Sequence, residues 1–253
     1  MARWTGQAST PAILDAAAEW RERCLLADGS IFTDRRAWGA ETVADLRARL
    51  AAPVPDGIAG FDSHLAHQLR DAPVATRIVA AEALWLLLLF LRGNYAPATK
   101  RAKILTALEA ARVQPSRDSL LADEILDGIA NGGPGFAIGI GKQWAFLVDT
   151  LARWKATPAP EREAIMADRD GWRFAEWVDR NPDAEKRAMR HALVYLLFPD
   201  SFERIVSLKH KWAFFRRFRD RLPTGGADPE SLCDLDRALL RIRRRLETAH
   251  GTR

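Results

Sequence analysis

Apolar residues recur along most of this chain at intervals of three and four, which is the spacing of one face of an α-helix. Short breaks rich in proline, glycine and aspartate separate these periodic segments. Alternation typical of strands is brief, at Ser30-Ile31-Phe32 and Ile138-Gly139-Ile140. We therefore predict an all-α fold, a compact multi-helix domain of about ten to eleven helices with at most a minor β-ribbon. The predicted helices are one that begins at Thr10-Pro11 and reaches Leu25, followed by 41–50, 61–70, 74–92, 97–112, 116–129, 142–155, 160–167, 172–179, 183–197, 205–222 and 229–249.

The strongest interruption of the helical pattern is Asn131-Gly132-Gly133-Pro134-Gly135. We predict a single helical domain over residues 1–253, in which 131–141 is a candidate for a looser joint. The most apolar segment, Ile78 to Leu91, contains Glu82 and is shorter than the roughly 20 residues that a bilayer span requires. It is expected to be a buried central helix. No membrane partner is therefore predicted, and the first residues lack the apolar run of a signal peptide, so we expect a cytoplasmic protein.

Charge is distributed unevenly along the chain. Residues 204–253 hold 13 Lys and Arg against 6 Asp and Glu, a formal balance of +7, whereas the whole chain carries +5. A positive field concentrated at one end can attract an acidic partner, nucleic acid first among them. The alternative is that these helices are simply well solvated.

Motifs that would carry chemistry are incomplete in this sequence. Gly141-Lys142-Gln143 lacks both the hydroxyl residue and the first glycine of a phosphate-binding P-loop. Asp62 and His67, with the intervening His64, have no further ligand at a metal-binding spacing. Glu203 and Lys209 are six residues apart, which does not suit a PD-(D/E)xK nuclease. We therefore predict no catalytic residue, no metal and no cofactor, and expect that the chain is not an enzyme.

Two C-terminal helices combine an apolar face with a basic one. The apolar stripes are Ile205, Leu208, Trp212, Phe215 and Leu222 on one helix and Leu232, Leu235, Leu239, Ile242 and Leu246 on the other. The basic faces could neutralise a run of phosphates. Intramolecular pairing, such as Asp234 with Arg237 and Asp236 with Arg243, is an equally open interpretation. The predicted nucleic-acid-binding residues are Lys209, His210, Lys211, Phe214, Arg216, Arg217, Arg221, Arg237, Arg241, Arg244 and Arg245.

A segment before these helices is the most specific motif of the chain. It reads Phe198-Pro-Asp-Ser-Phe-Glu-Arg-Ile-Val-Ser207 and is followed by His210-Lys211. Proline prevents simple continuation of the preceding helix. We expect Asp200 to cap the following turn and the phenylalanines to pack beneath it. The structural motif is thus Phe198, Pro199, Asp200, Phe202 and Glu203, which would fix the angle between the two flanking helices.

With other segments, this motif resembles the helical region upstream of the AAA-type motor in McrB-like, modification-dependent restriction NTPases. The further matching segments are Leu26–Phe32 with Trp38, Phe61–Leu65 with Gln68-Leu69, Ala81–Trp85 with Lys100 and Lys103, Gly128–Phe136, Trp154-Lys155, Trp172–Trp177 and Asp236–Arg243. They span most of the chain in the order of the family. Walker A, Walker B and the McrB signature are absent, so the AAA motor module is not expected in this chain, which would be an excised domain or a free-standing relative.

The resemblance implies a non-catalytic DNA-recognition module of a restriction or antiviral defence system. Its partners would be DNA, including modified DNA, an AAA-type NTPase module and a nuclease subunit. The alternative is a protein-interaction domain that docks on an AAA ring or senses a phage protein.

Overall fold

The computed structural model describes residues 6–222 and 227–251. This part of the chain contains 13 α-helices, 11 of them with seven or more residues, so the prediction of an all-α fold is confirmed. The helices are α1 (Thr10–Trp20), α2 (Ala40–Ala51), α3 (Phe61–Gln68), α4 (Val74–Leu89), α5 (Pro97–Ala110), α6 (Asp123–Leu126), α7 (Pro134–Ile138), α8 (Ile140–Ala156), α9 (Ala159–Met166), α10 (Trp172–Asp179), α11 (Ala188–Leu197), α12 (Leu208–Phe218) and α13 (Leu232–Ala249).

The minor β-ribbon that the sequence allowed is absent from the described residues. Ser30–Phe32 lies in a bend, while Ile138 and Ile140 belong to α7 and α8. In the described ranges, the single isolated bridge joins Leu91 and Ala130 in parallel. The region 131–141 consists largely of α7 and the start of α8.

One predicted helix is broken into two short turns. The segment 116–129 forms a 3₁₀ turn at Asp118–Leu121 and the four-residue helix α6, with an extended residue between them. Side chains explain the break, because the Nε1–H of Trp85 donates to the carbonyl of Leu120 at 2.9 Å and Arg101 donates to that of Leu121 at 2.8 Å. These carbonyls are satisfied by tertiary contacts, so a continuous helix is not required to pair them.

Helix α4 lies at the centre of the main core. From Ile78 to Leu89 every side chain is buried, and α4 packs against α2, α5 and α8. A helix that is apolar all round is stable only when it is covered on all sides. None of the described helices has the combination of length and apolar character that crossing a bilayer would demand.

The carboxylate of Glu82 is the one acidic group buried within α4. It accepts hydrogen bonds from the hydroxyl of Ser30, the backbone N–H of Phe32 and the indole N–H of Trp38. The thiol of Cys24 adds a fourth donor at 3.4 Å. Glu82 therefore ties the irregular segment between α1 and α2 to the central helix.

Helices α12 and α13 form a second, smaller apolar cluster. Its fully buried residues include Phe215, Leu239 and Ile242, with Trp212 packed partly against them. This packing confirms the predicted apolar faces except at Ile205, which precedes α12, and Leu232, which packs against the main core. Observed helix starts are later than predicted, since α12 begins at Leu208 after the N-cap Ser207 and α13 begins at Leu232 after the N-cap Ser231.

Candidate nucleic-acid interface

A buried ionic network holds α12 and α13 on the rest of the fold. Arg190 of α11 donates to both oxygens of Asp179, at 2.6 and 2.7 Å, and pairs with Asp236 of α13. Lys211 of α12 pairs with the other oxygen of Asp236. Arg190, Lys211 and Asp236 are each at most 1 % exposed. Because two cations face two carboxylates, the network is balanced in charge.

The network sets the ionisation of its members. Burial alone would raise the pKa of Asp236, but the charges of Lys211 and Arg190 outweigh it, so this pKa is lowered. The thiol of Cys233 lies 3.1 Å from Asp179, and its pKa is raised by burial and by that carboxylate. Burial and the two cations lower the pKa of His191 well below its ordinary value. Asp236 is thus ionised and Cys233 and His191 are neutral at pH 7.

Lys211 is not a surface residue, contrary to what a phosphate contact requires. It lies three residues after Leu208 and four before Phe215, on the inward face of α12. This spacing in the sequence indicated that Lys211 is buried, but its charge suggested that it is exposed. An ammonium group held by Asp236 in the interior cannot reach a phosphate without leaving that carboxylate.

The exposed cations of α12 and α13 form the basic face. They make no ion pair within residues 6–222 and 227–251. Lys209 and Arg217 are eight residues apart, so the exposed stretch of α12 is about 12 Å long. On α13, the exposed arginines fall within little more than one helical turn. The basic face consists of Lys209, Arg216, Arg217, Arg241, Arg244 and Arg245.

Neighbouring aromatic rings hold part of this face. The guanidinium of Arg216 lies 5.6 Å from the ring centroid of Trp212, and that of Arg217 lies 5.6 Å from Phe218. Such contacts restrain long side chains while leaving their N–H groups available to an anion.

The remaining predicted contact residues are less available, apart from His210. Phe214 is half-buried with its ring centroid 4.7 Å from that of Phe218. Arg237 is half-buried, pairs with Glu176 at 2.5 Å and stacks over Trp172. Arg221 is exposed, with Asp220 at 3.9 Å, and His210 is exposed on the first turn of α12.

Of the two intramolecular pairs considered from sequence, one forms. Arg237 lies 3.5 Å from Asp234. Asp236 instead forms ion pairs with Arg190 and Lys211, and Arg243 pairs with Glu203 at 2.7 Å. The expected pairing of Asp236 with Arg243 is wrong because Asp236 faces the interior while Arg243 turns towards the segment before α12.

The motif at 198–203 follows α11 and contacts α10 and α13. Phe198 and Phe202 are buried against Phe174 and Trp172, with ring centroids 5.7 and 4.7 Å apart. Buried Pro199 lies between them, and Arg243 of α13 donates to the backbone carbonyl of Asp200 at 2.7 Å. The N-cap of α12 is Ser207, whose hydroxyl accepts from the N–H of His210. Helices α12 and α13 are antiparallel. Glu203, which precedes Lys211 in the chain, pairs with Arg243, which follows Asp236, the partner of Lys211.

Sequence reasoning missed Arg190, the centre of the network. A single arginine in the apolar segment of α11 was the signal, since an arginine is fully buried only when it is paired. Among the described residues, no three His, Cys, Asp or Glu side chains form a group that could hold a metal ion. Comparison with family models, curated proteins and solved structures gives no match to this chain.

Proposed function

We propose that this chain is a non-catalytic DNA-recognition module of a McrB-like restriction or anti-phage defence system. The observation that carries this proposal is the basic face, in which six cations on two packed helices make no ion pair in the described ranges. Arg237, also on α13, is by contrast paired with Glu176. The sequence resemblance to McrB-like proteins supplies the biological setting.

The charge of the face suits the backbone of a duplex. Duplex DNA carries about one charge per 1.7 Å, so the 12 Å stretch of α12, which bears three of the six cations, faces about seven phosphate charges. With the three arginines of α13, the basic face can neutralise at most six phosphates. Contacts of this kind fix the position of a protein on DNA but do not read the sequence, so the face predicts binding without base specificity. Dissociation constants of such binding are about 10⁻⁴ to 10⁻⁶ M at physiological salt.

Charge reversal on both helices tests the proposal. The variant Arg217→Glu/Arg241→Glu should bind a fluorescein-labelled duplex at least tenfold more weakly than the native chain, as measured by anisotropy at low salt. The matched control is Arg35→Glu/Arg180→Glu, which reverses two exposed arginines that lie outside the basic face and also make no ion pair among the described residues. Equal affinity of the folded test variant and the native chain would refute the assignment of this surface.

Repeating the anisotropy measurement at increasing salt concentrations also distinguishes DNA from an acidic protein partner. A duplex bound through phosphates releases counterions, and its affinity falls steeply with salt. If no duplex binds even at low salt, the face would instead be a protein-docking surface, and the DNA function would be rejected.

A further inference from the structure

A cavity of about 720 Å³ lies beside α12 and is separate from the exposed side chains of the basic face, although exposed His210 lies at its edge. Its walls are the glycine-rich segment 131–136, the residues around the start of α11, and the segment 204–208 that leads into α12. The volume is in the range of sites that take small molecules and cofactors. The cavity therefore has the size of a ligand site and a wall made by three separate parts of the chain.

His191 gives this cavity a polar group without a partner. The side chain lines the cavity and is 1 % exposed, and its Nε2 has no hydrogen-bond partner in the described structure. Nδ1 lies 3.3 Å from the guanidinium of Arg190. Because arginine only donates, Nδ1 accepts, and the neutral ring carries its proton on Nε2. A buried N–H donor without an acceptor is costly. Nε2 itself is covered by the cavity wall, so a ligand would supply the acceptor once it displaces that cover.

The walls carry positive charge. Three cationic side chains, Lys186, Arg187 and Arg204, line the cavity against one acidic side chain, Glu185. Arg187 is paired with Asp183 at 2.8 Å, whereas Lys186 and Arg204 make no ion pair within the described ranges.

Helices α11 and α12 both begin at this cavity. Ala188, the first residue of α11, and Leu208, the first residue of α12, both line it. The first N–H groups of a helix point away from its body and carry the positive end of the helix dipole, so they favour an anion. Of these groups, that of Met189 already donates to Gln143 at 2.9 Å and that of His210 to Ser207 at 3.3 Å. Phosphate, sulfate and carboxylate groups bind at such positions.

We propose that this cavity binds a small organic phosphate of about nucleotide size. An oxygen of the ligand accepts the Nε2–H of His191, while Arg204 and Lys186 neutralise the phosphate charge. Phe136 and Val206 provide apolar wall for the organic part. This proposal does not depend on DNA binding by the basic face, because it uses different residues.

Isothermal titration calorimetry of the full chain provides the test. The probes are adenosine 5′-monophosphate, inorganic phosphate, and adenosine as the match without phosphate. We expect the monophosphate to bind and adenosine not to bind. Arg204→Ala should weaken binding about tenfold or more, since it removes a charged donor. Arg35→Ala, an exposed arginine outside the cavity walls, should leave binding unchanged.

A second variant tests His191 while preserving its structural contact. His191→Asn retains an oxygen that can accept from Arg190 and removes the Nε2 donor, so it should fold and lose binding about tenfold. If it does not fold, the imidazole N–H resonance of native His191 still reports on the site, and it should shift when phosphate is added. Failure of both phosphates to bind, or unchanged affinity in Arg204→Ala, would overturn the proposal. Binding only of a 5′-phosphorylated oligonucleotide, without the monophosphate, would overturn the small-ligand assignment.

Discussion

Replacing Lys211 by methionine should destabilise the fold far more than the same change two residues earlier. Native Lys211 and Asp236 are buried with Arg190, and Arg190 also binds Asp179. Lys211→Met leaves one cation against two carboxylates, one of them fully buried. Breaking a buried pair from one side costs about 3–5 kcal/mol. For a chain of this size each kcal/mol lowers the melting temperature by about 2–4 °C, so a decrease of roughly 6–20 °C is expected.

The matched control is Lys209→Met on the same helix. Lys209 is exposed and makes no ion pair in the described part of the chain, so its replacement should change the free energy of unfolding by no more than about 0.5 kcal/mol. Urea denaturation followed by circular dichroism measures both variants. Equal, small effects of the two substitutions would refute the buried position of Lys211.

A double variant separates lost charge balance from lost packing. Lys211→Met/Asp236→Leu removes both charges and leaves Arg190 paired with Asp179. Replacing a whole buried pair by apolar side chains is often close to neutral, so the double variant should recover most of the stability that Lys211→Met loses. If the double variant instead loses as much stability as Lys211→Met and Asp236→Leu lose together, the electrostatic explanation would be contradicted.

Three further perturbations test the core. Glu82→Gln should cost about 1–3 kcal/mol, because the new amide N–H₂ would face donors such as the indole N–H of Trp38. Gly171→Ala should cost about 3 kcal/mol or more, since φ is +77° and the added Cβ would lie 2.3 Å from the ring of Phe198. Burial lowers the pKa of Lys100 from 10.5 to about 8. From pH 8 to 10.5 the unfolded state therefore holds more protons, and stability relative to Lys100→Met should rise by about 3 kcal/mol.

Urea denaturation checks these three predictions, each against its own reference. Gly57→Ala has a similar positive φ of +91° but no atom within 4 Å of the added Cβ, so it should cost only about 1 kcal/mol. Similar losses at positions 57 and 171 would exclude the clash with Phe198. A stable Glu82→Gln variant would show that the carboxylate is not the common acceptor. A difference between native and Lys100→Met chains that stays constant with pH would contradict the lowered pKa.

The helical period was sufficient to predict the fold class and most helices. The apolar stripes of α12 and α13 could be predicted because their residues recur at intervals of three and four residues, and in the structure most of them pack against one another. Helix ends were less predictable, as at 116–129, where Trp85 and Arg101 bind carbonyls from distant parts of the chain. Such tertiary hydrogen bonds leave no mark in local sequence.

The candidate interface was predicted in part. Exposed arginines on α13 followed directly from its amphipathic pattern, and Arg241 and Arg244 are exposed as expected. Lys211 was misassigned because sequence shows a charge but not its partner, and Asp236 lies 25 residues away. The cavity at His191 could not be predicted, since its walls come together only in the folded chain.

The salt dependence of duplex binding tests the central claim most directly. The logarithm of the association constant should fall linearly with the logarithm of salt concentration, with a slope of up to about −5 if all six cations of the basic face contact phosphates. Arg217→Glu/Arg241→Glu should reduce the magnitude of that slope by about 2, since each lost phosphate contact removes about 1. A native slope near zero, or a slope that the double variant leaves unchanged, would contradict the proposal that this face binds the DNA backbone.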